Sequence, residues 1–243
     1  MMTKLPGPFL QLTVFCVIFI LINIATVYAF DVQTNRLVRV ITSLLLFIFF
    51  ILNKGYVRGY LFVAFICLTL RDILMLAYED PINKTFTFLL TIFAYTMLSY
   101  GNIKKLKFSR STPLIILLAL SLIGLNAFNV YYLSDVIKEG LDTSFQYILF
   151  FIQGGIIIVL GFVGFMYNER YEGKTPLIFL YMVLCFILAD LCALAAYFFN
   201  IEITYFPERT LYILALVLLV NYMLNRNFQI AKGHEEKEKG LIL

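Results

Sequence analysis

Residues 9–30 read FLQLTVFCVIFILINIATVYAF, a stretch without a single charged side chain. An unbroken apolar run of about 18 residues or more is long enough to cross the roughly 30 Å hydrocarbon layer of a bilayer as a helix. Lys4 ahead of it and Val27-Tyr28-Ala29 near its end imitate a secretory signal with a small-residue cleavage site. The run is too long for the apolar region of such a signal, and it reads as a retained first span.

Similar runs recur at 37–53, 59–78, 85–101, 113–131, 143–167, 176–199 and 208–225, separated by short polar breaks that carry most of the charges. Of the 243 residues, 62% are hydrophobic and 14% charged, whereas a soluble domain carries roughly 25% charged residues. That is too few to clothe a surface facing water. Inside lipid every backbone N–H and C=O must find its partner within the protein, so only helices or a closed barrel can span. Barrel strands alternate apolar and polar at period two, a pattern that no stretch sustains. The expectation is an all-α transmembrane protein: an eight-helix bundle forming one polytopic domain over residues 1–226, then a charged, solvated cytoplasmic tail over 227–243.

Positive residues resist translocation, so Lys and Arg orient the bundle. With the N-terminus inside, the inner segments hold Lys4, Lys54, Arg58, the cluster Lys104, Lys105, Lys107 and Arg110, then Arg170, Lys174 and Arg226. The outer segments and span edges keep Arg36, Arg39, Lys84, Lys138 and Arg209, along with most of the acidic residues, including Glu79, Asp142 and Glu208. This asymmetry places both termini in the cytoplasm and suits a multi-pass protein of a cell inner membrane. Topology also accounts for the net charge of +4, and nucleic acid is not an expected partner. With no tryptophan in the chain, tyrosines near the span ends, among them Tyr78, Tyr197 and Tyr205, take the part of interfacial anchors.

Many chemistries are excluded by what is missing. There is no Gly-rich phosphate loop, no His-Glu-x-x-His and no Gly-x-Ser-x-Gly, and the single histidine, His234, lies in the tail. Cys16, Cys67, Cys185 and Cys192 all fall in apolar runs without zinc-ligand spacing, so no metal and no cofactor is expected. Gly154, Gly155, Gly161 and Gly164 of the sixth run read as small residues that let helices approach closely.

Three charged residues remain well inside the runs: Arg71, Asp72 and Asp190. A charge at a span centre costs about 2.5 to 3.5 kcal/mol on insertion scales, so such residues mark functional sites by default. They also sit in an internal echo, because Cys67-Leu68-Thr69-Leu70-Arg71-Asp72 and Cys185-Phe186-Ile187-Leu188-Ala189-Asp190 share Cys-x-x-Leu-x-Asp and continue alike. Such an echo fits two parallel four-helix halves related by an axis along the membrane normal. Both aspartates then lie at similar depth and can line one cavity, with Thr69, Asn126, Gln153 and Asn221 as polar companions. The competing reading is an Arg71–Asp190 ion pair, or two hydrogen-bonded carboxyls, that only fixes packing.

At Leu70-Arg71-Asp72-Ile73-Leu74-Met75-Leu76 and Phe88-Leu89-Leu90-Thr91-Ile92-Phe93-Ala94-Tyr95 the chain resembles the YhhN/lysoplasmalogenase family of eight-span membrane proteins. That family carries a Leu-Gly-Asp helix, a Phe-x-x-x-His-x-x-Tyr helix and a later Ser-Asp helix. Asp72, Phe88, Tyr95 and Asp190 match the pattern. Arg71, Ile92, Ala189 and Leu216 stand where it has glycine, histidine, serine and a polar residue. The resemblance implies hydrolysis of the vinyl ether bond of a lysoplasmalogen, with Asp72 and Asp190 as catalytic residues, Tyr95 bordering the substrate, and membrane lysophospholipid as the partner; Asn126, a polar residue inside a span, is read as a second substrate neighbour. The rival classes are a proton- or cation-coupled transporter or channel, and a catalytically silent relative that binds lipid.

Overall fold

The computed structural model describes residues 7–57, 59–103, 140–199 and 201–240, with isolated positions between 117 and 138 and, over 228–240, the backbone alone. Among the described residues the regular structure is entirely helical: α1 (Pro8–Ala29), α2 (Val32–Leu52), α3 (Gly59–Leu74), α4 (Pro81–Ile103), α5 (Ser144–Arg170), α6 (Lys174–Phe198) and α7 (Tyr205–Gly240), with short 3₁₀ turns at Gly55–Val57, Met75–Ala77 and Glu202–Thr204. Among the described residues seven helices are long and apolar enough to cross a membrane. The chain is therefore a multi-pass membrane protein, all-helical in the regular structure of its described residues. The expected span at 113–131, and Asn126 with it, lies outside the described residues.

Local chemistry sets the helix ends. Pro8 opens α1, where its fixed φ suits the first turn and its missing N–H costs nothing. Asp31 caps α2 by accepting the Thr34 backbone N–H at 3.3 Å. The cap starts α2 at Val32 rather than at 37, which draws Arg36 into the helix and moves Arg39 from its first turn to its second. Thr143 caps α5 in the same way through the Gln146 N–H. Gly173 precedes α6 with φ of 114°, a backbone state open mainly to glycine. α7 runs on without a break through the expected tail as far as Gly240. Its 36 residues give a helix of about 54 Å at 1.5 Å per residue, well beyond the hydrocarbon thickness.

Burial follows the lipid-facing pattern. On α1 only Leu12, Asn23 and Thr26 are buried, and the large apolar side chains Leu10, Val17 and Leu21 face outward. The interior is packed by Phe50, Phe65, Leu68, Leu98, Phe179 and Phe186, drawn from α2, α3, α4 and α6, against Leu216, Leu219 and Val220 of α7. Hydroxyls that would otherwise be stranded bond back to their own helices, as Thr69 does to the Phe65 carbonyl at 3.0 Å and Thr91 to that of Thr87 at 2.8 Å. Asn23 donates to Thr42 Oγ1 at 3.0 Å and joins α1 to α2. Of the α5 glycines, a Cβ at Gly161 would lie 3.2 Å from Ile187 and one at Gly164 3.5 Å from Val183, both on α6. Gly155 faces open space.

Three hydrogen bonds fix the direction of α5. Gln146 Nε2 donates to the Pro81 carbonyl at 2.9 Å and to Thr85 Oγ1 at 3.1 Å, while Lys84 Nζ reaches the Gly140 carbonyl at 3.2 Å. The first turns of α4 and α5 thus stand side by side, and the helices run parallel. Ile103 and Ser144 accordingly lie at opposite ends of the bundle.

Candidate functional site

Near the end of the bundle where α2 and α7 begin, four helices bring charges together. Asp72 of α3 is fully buried, and both of its oxygens are occupied as acceptors: Arg39 Nε of α2 donates to Oδ1 at 2.9 Å, and the Tyr212 hydroxyl of α7 donates to Oδ2 at 2.6 Å. Arg39 turns its Nη1 to Glu208 Oε1 of α7 at 2.8 Å, so one guanidinium ties α2 to both α3 and α7. The guanidinium carbons of Arg39 and Arg71 lie 4.0 Å and 4.8 Å from the centre of the Tyr212 ring, a cation–π arrangement that gains from exclusion of water. A buried charge left alone in such surroundings costs several kcal/mol.

Arg71 bridges the two aspartates. Its Nη2 is 3.5 Å from Asp72 Oδ1, and its Nη1 is 3.8 Å from Asp190 Oδ1 of α6. Asp190 Oδ2 accepts the Tyr95 hydroxyl of α4 at 2.7 Å. Its Oδ1, lying beyond hydrogen-bond reach of Arg71, keeps room for a proton or for a polar atom of a guest. The two hydroxyl donations are reciprocal. The aspartate of α3 takes its tyrosine from α7, and the aspartate of α6 takes its tyrosine from α4.

A cavity of about 160 Å³ opens beside this network. Arg36, Arg39, Arg71, Glu208 and Arg209 border it from α2, α3 and α7, while Phe88, Phe150, Ile157, Leu191 and Leu194 border it from α4, α5 and α6. Asp190 lines the cavity; Asp72 does not, since it sits behind Arg39 and Tyr212. Of the expected polar companions, Gln153 lines it too. Thr69 is engaged with its own helix, and Asn221 accepts from Asn225. Tyr78, Tyr197 and Tyr205, read from sequence as interfacial anchors, line the cavity.

Ion pairs on the connecting segments hold this end of the bundle. Arg36 grips Glu79 through two hydrogen bonds of 2.9 Å and 2.7 Å, which hold the Glu79 carboxyl below its ordinary range. Lys84 bonds Asp142 at 2.8 Å and lowers that carboxyl likewise. Asp31 is lowered by its hydrogen bonds from Thr34.

The network contains residues that sequence reading treated only as topology markers: Arg36, Arg39, Glu208 and Arg209. The signal that could have found the first two is the Asp31 cap, since a helix starting at Val32 puts them one to two turns inside. Tyr212 gave no signal beyond its place in the last span. Where the resembled family has its histidine, Ile92 packs against the cluster of Phe88, Leu149 and Phe150. Ala189 and Leu216 belong to the interior packing. Among the described residues no group of three or more His, Cys, Asp or Glu side chains is placed to hold a metal ion.

Comparison of the chain with protein-family models, with curated proteins and with solved structures finds no match.

Proposed function

We propose that this chain is an eight-span membrane hydrolase of the lysoplasmalogenase type, acting on the vinyl ether bond of a single-chain phospholipid. One observation carries the reading: Asp190 offers a carboxyl oxygen to a cavity that is charged toward α2 and α7 and uncharged, with large apolar side chains, toward α4 and α5. An amphiphile has that same division. The cavity is close in size to the roughly 150 Å³ that holds a benzene-sized molecule. It therefore suits the reacting end of the lipid, with the hydrocarbon chain passing out between helices.

In the proposed reaction Asp190 enters protonated and gives its proton to the alkene carbon farther from the ether oxygen. The ether carbon becomes an oxocarbenium ion beside the new carboxylate, as in glycoside cleavage. Water adds to that carbon and returns a proton to Asp190, and the hemiacetal collapses to a fatty aldehyde and the glycerophospho alcohol. General acid catalysis of this kind contributes about 10² to 10⁴-fold. Tyr95 orients the acid. Asp72 is a positioning residue, holding Arg39, Arg71 and Tyr212 against the cavity wall. Asn126 stays in the proposal only as a substrate neighbour suggested by sequence.

The parallel course of α4 and α5 supports the eighth span, because it places Ile103 and Ser144 at opposite ends of the bundle. The reciprocal tyrosine–aspartate bonds support two parallel four-helix halves. With an even number of spans, the Lys and Arg distribution favours both termini in the cytoplasm and a place in the inner membrane. A second reading, a silent lipid-binding relative, is favoured by Ile92 in place of a histidine.

The test is aldehyde release from a purified lysoplasmalogen, compared for wild type, Asp190→Asn and Asp72→Asn. The expected result is a fall of about 100-fold or more in kcat for Asp190→Asn. Asp72→Asn is expected mainly to raise KM while preserving the pH profile. Equal rates in all three proteins remove the hydrolytic reading, and no aldehyde with retained lipid binding leaves the silent relative.

A further inference from the structure

Arg209 is the guanidinium that the network leaves over. It borders the cavity and is only 4% exposed, and its Nε and Nη1 have no hydrogen-bond acceptor among the described residues. Its nearest carboxylate oxygen, Glu208 Oε2 at 3.3 Å from Nε, is not aligned for a hydrogen bond. Glu208 also gives its other oxygen to Arg39 at 2.8 Å. Arg36 is held by Glu79, and Arg39 by Asp72 and Glu208; Arg71, whose Nε also lacks an acceptor, has two carboxylates beside it, Asp72 and Asp190, whereas Arg209 has only Glu208, shared with Arg39. A guanidinium buried in a low-dielectric site without aligned acceptors is stabilised by any anion that can reach it, and its planar fork matches the oxygens of a phosphate.

We propose that Arg209 is the centre of a subsite for the phosphodiester oxyanion of a single-chain lipid. The assignment rests on the hydrolytic reading for the chemical class of its ligand and for the charge count. Ionised throughout, the cluster sets Arg36, Arg39, Arg71 and Arg209 against Asp72, Glu79, Asp190 and Glu208. With the proton of a general acid on Asp190, four positive groups face three negative ones, and the surplus equals the charge of one phosphodiester. The subsite thus holds the lipid by its head group, with the apolar wall from α4 and α5 left for the alkenyl end.

Binding is measured with ligands that cannot react. Wild-type protein in lipid nanodiscs is titrated calorimetrically with 1-O-hexadecyl-glycero-3-phosphoethanolamine, which has an ordinary ether, and with 1-O-hexadecylglycerol, which has the same chain and no phosphate. A preference of about tenfold or more for the phosphorylated ligand is expected. Arg209→Gln should abolish the preference without weakening the neutral ligand, Arg209→Lys should keep part of it, and Asp190→Asn should keep it while aldehyde release is lost. Equal affinities in the wild type overturn the subsite even if no variant folds, and so does an equal loss for both ligands in Arg209→Gln. Protection of the wild type, but not of Arg209→Gln, by glycerol 3-phosphate alone upholds the subsite and makes its ligand a soluble phosphate. Absent aldehyde release with an intact phosphate preference defeats the hydrolytic reading alone, whereas aldehyde release without a preference defeats the subsite alone.

Discussion

Tyr95 reaches from α4 to Asp190 on α6 with a hydroxyl–carboxyl distance of 2.7 Å, and this bond ties α4 to the carboxyl that Arg71 links to the rest of the charged network. Tyr95→Phe keeps the ring and removes the bond. Stability should fall by about 0.5 to 1.5 kcal/mol, the range for a hydrogen bond between neutral groups, as read from thermal unfolding in detergent. No change in unfolding would show that the bond does not hold the helices together.

Tyr212 has two tasks, since its hydroxyl holds Asp72 while its ring supports two guanidiniums. Tyr212→Phe should cost only the hydrogen bond. Tyr212→Leu should cost in addition about 2 kcal/mol of cation–π attraction. Equal losses in the two variants would mean that the ring contributes packing alone.

Arg39 is the partner of both Asp72 and Glu208. Removing it strands two buried carboxylates, so Arg39→Met should destabilise by about 3 to 5 kcal/mol. Arg39→Lys should recover little, because an ammonium lacks the fork that reaches two carboxylates at once. Denaturant unfolding of the two variants beside wild type decides the matter.

Acid should loosen the cavity end of the bundle. Glu79 and Asp142 have lowered carboxyls, and a group lowered on folding stabilises above its unfolded value and loses that effect as pH falls through its folded one. Melting temperature should therefore hold above the ordinary carboxylate range, near pH 4, and drop below it. Glu79→Gln should show a smaller drop over the same window, and an identical profile would exclude the Arg36–Glu79 pair as a source.

At the α5–α6 contact, Gly161→Leu has to displace Ile187 and Gly164→Leu has to displace Val183, and each should cost about 1 to 3 kcal/mol from overpacking. Gly155→Leu, pointing into open space, is the neutral control. Comparable melting temperatures for all three would contradict close packing there.

The spans were legible because apolar length is a one-dimensional property: seven runs match helices with ends shifted by a few residues, apart from the long extension of α7. Asp72, Asp190 and Tyr95 were legible because a carboxyl inside an apolar run is conspicuous and the tyrosine falls in a recognisable spacing. Arg39, Glu208 and Arg209 were hidden at span edges, where charge is ordinary. What makes them exceptional is burial, and burial depends on which helices meet, which no local pattern encodes. The shared depth of the two aspartates followed from helix direction. That Asp72 is sealed behind Arg39 while Asp190 opens on the cavity depends on rotation about each helix axis, and three-dimensional packing alone decides that.

The link from Arg39 to Glu208 spans 169 residues of chain, which has a bearing on how the protein is made. During synthesis α2 emerges long before α7, and for that interval its arginine can meet Asp72 but not its second acid. The network therefore closes only when the last helix arrives. A nascent chain halted before Glu208 leaves the Nη1 of Arg39 without its acceptor, and the arrival of that carboxylate separates the finished bundle from its shorter intermediates.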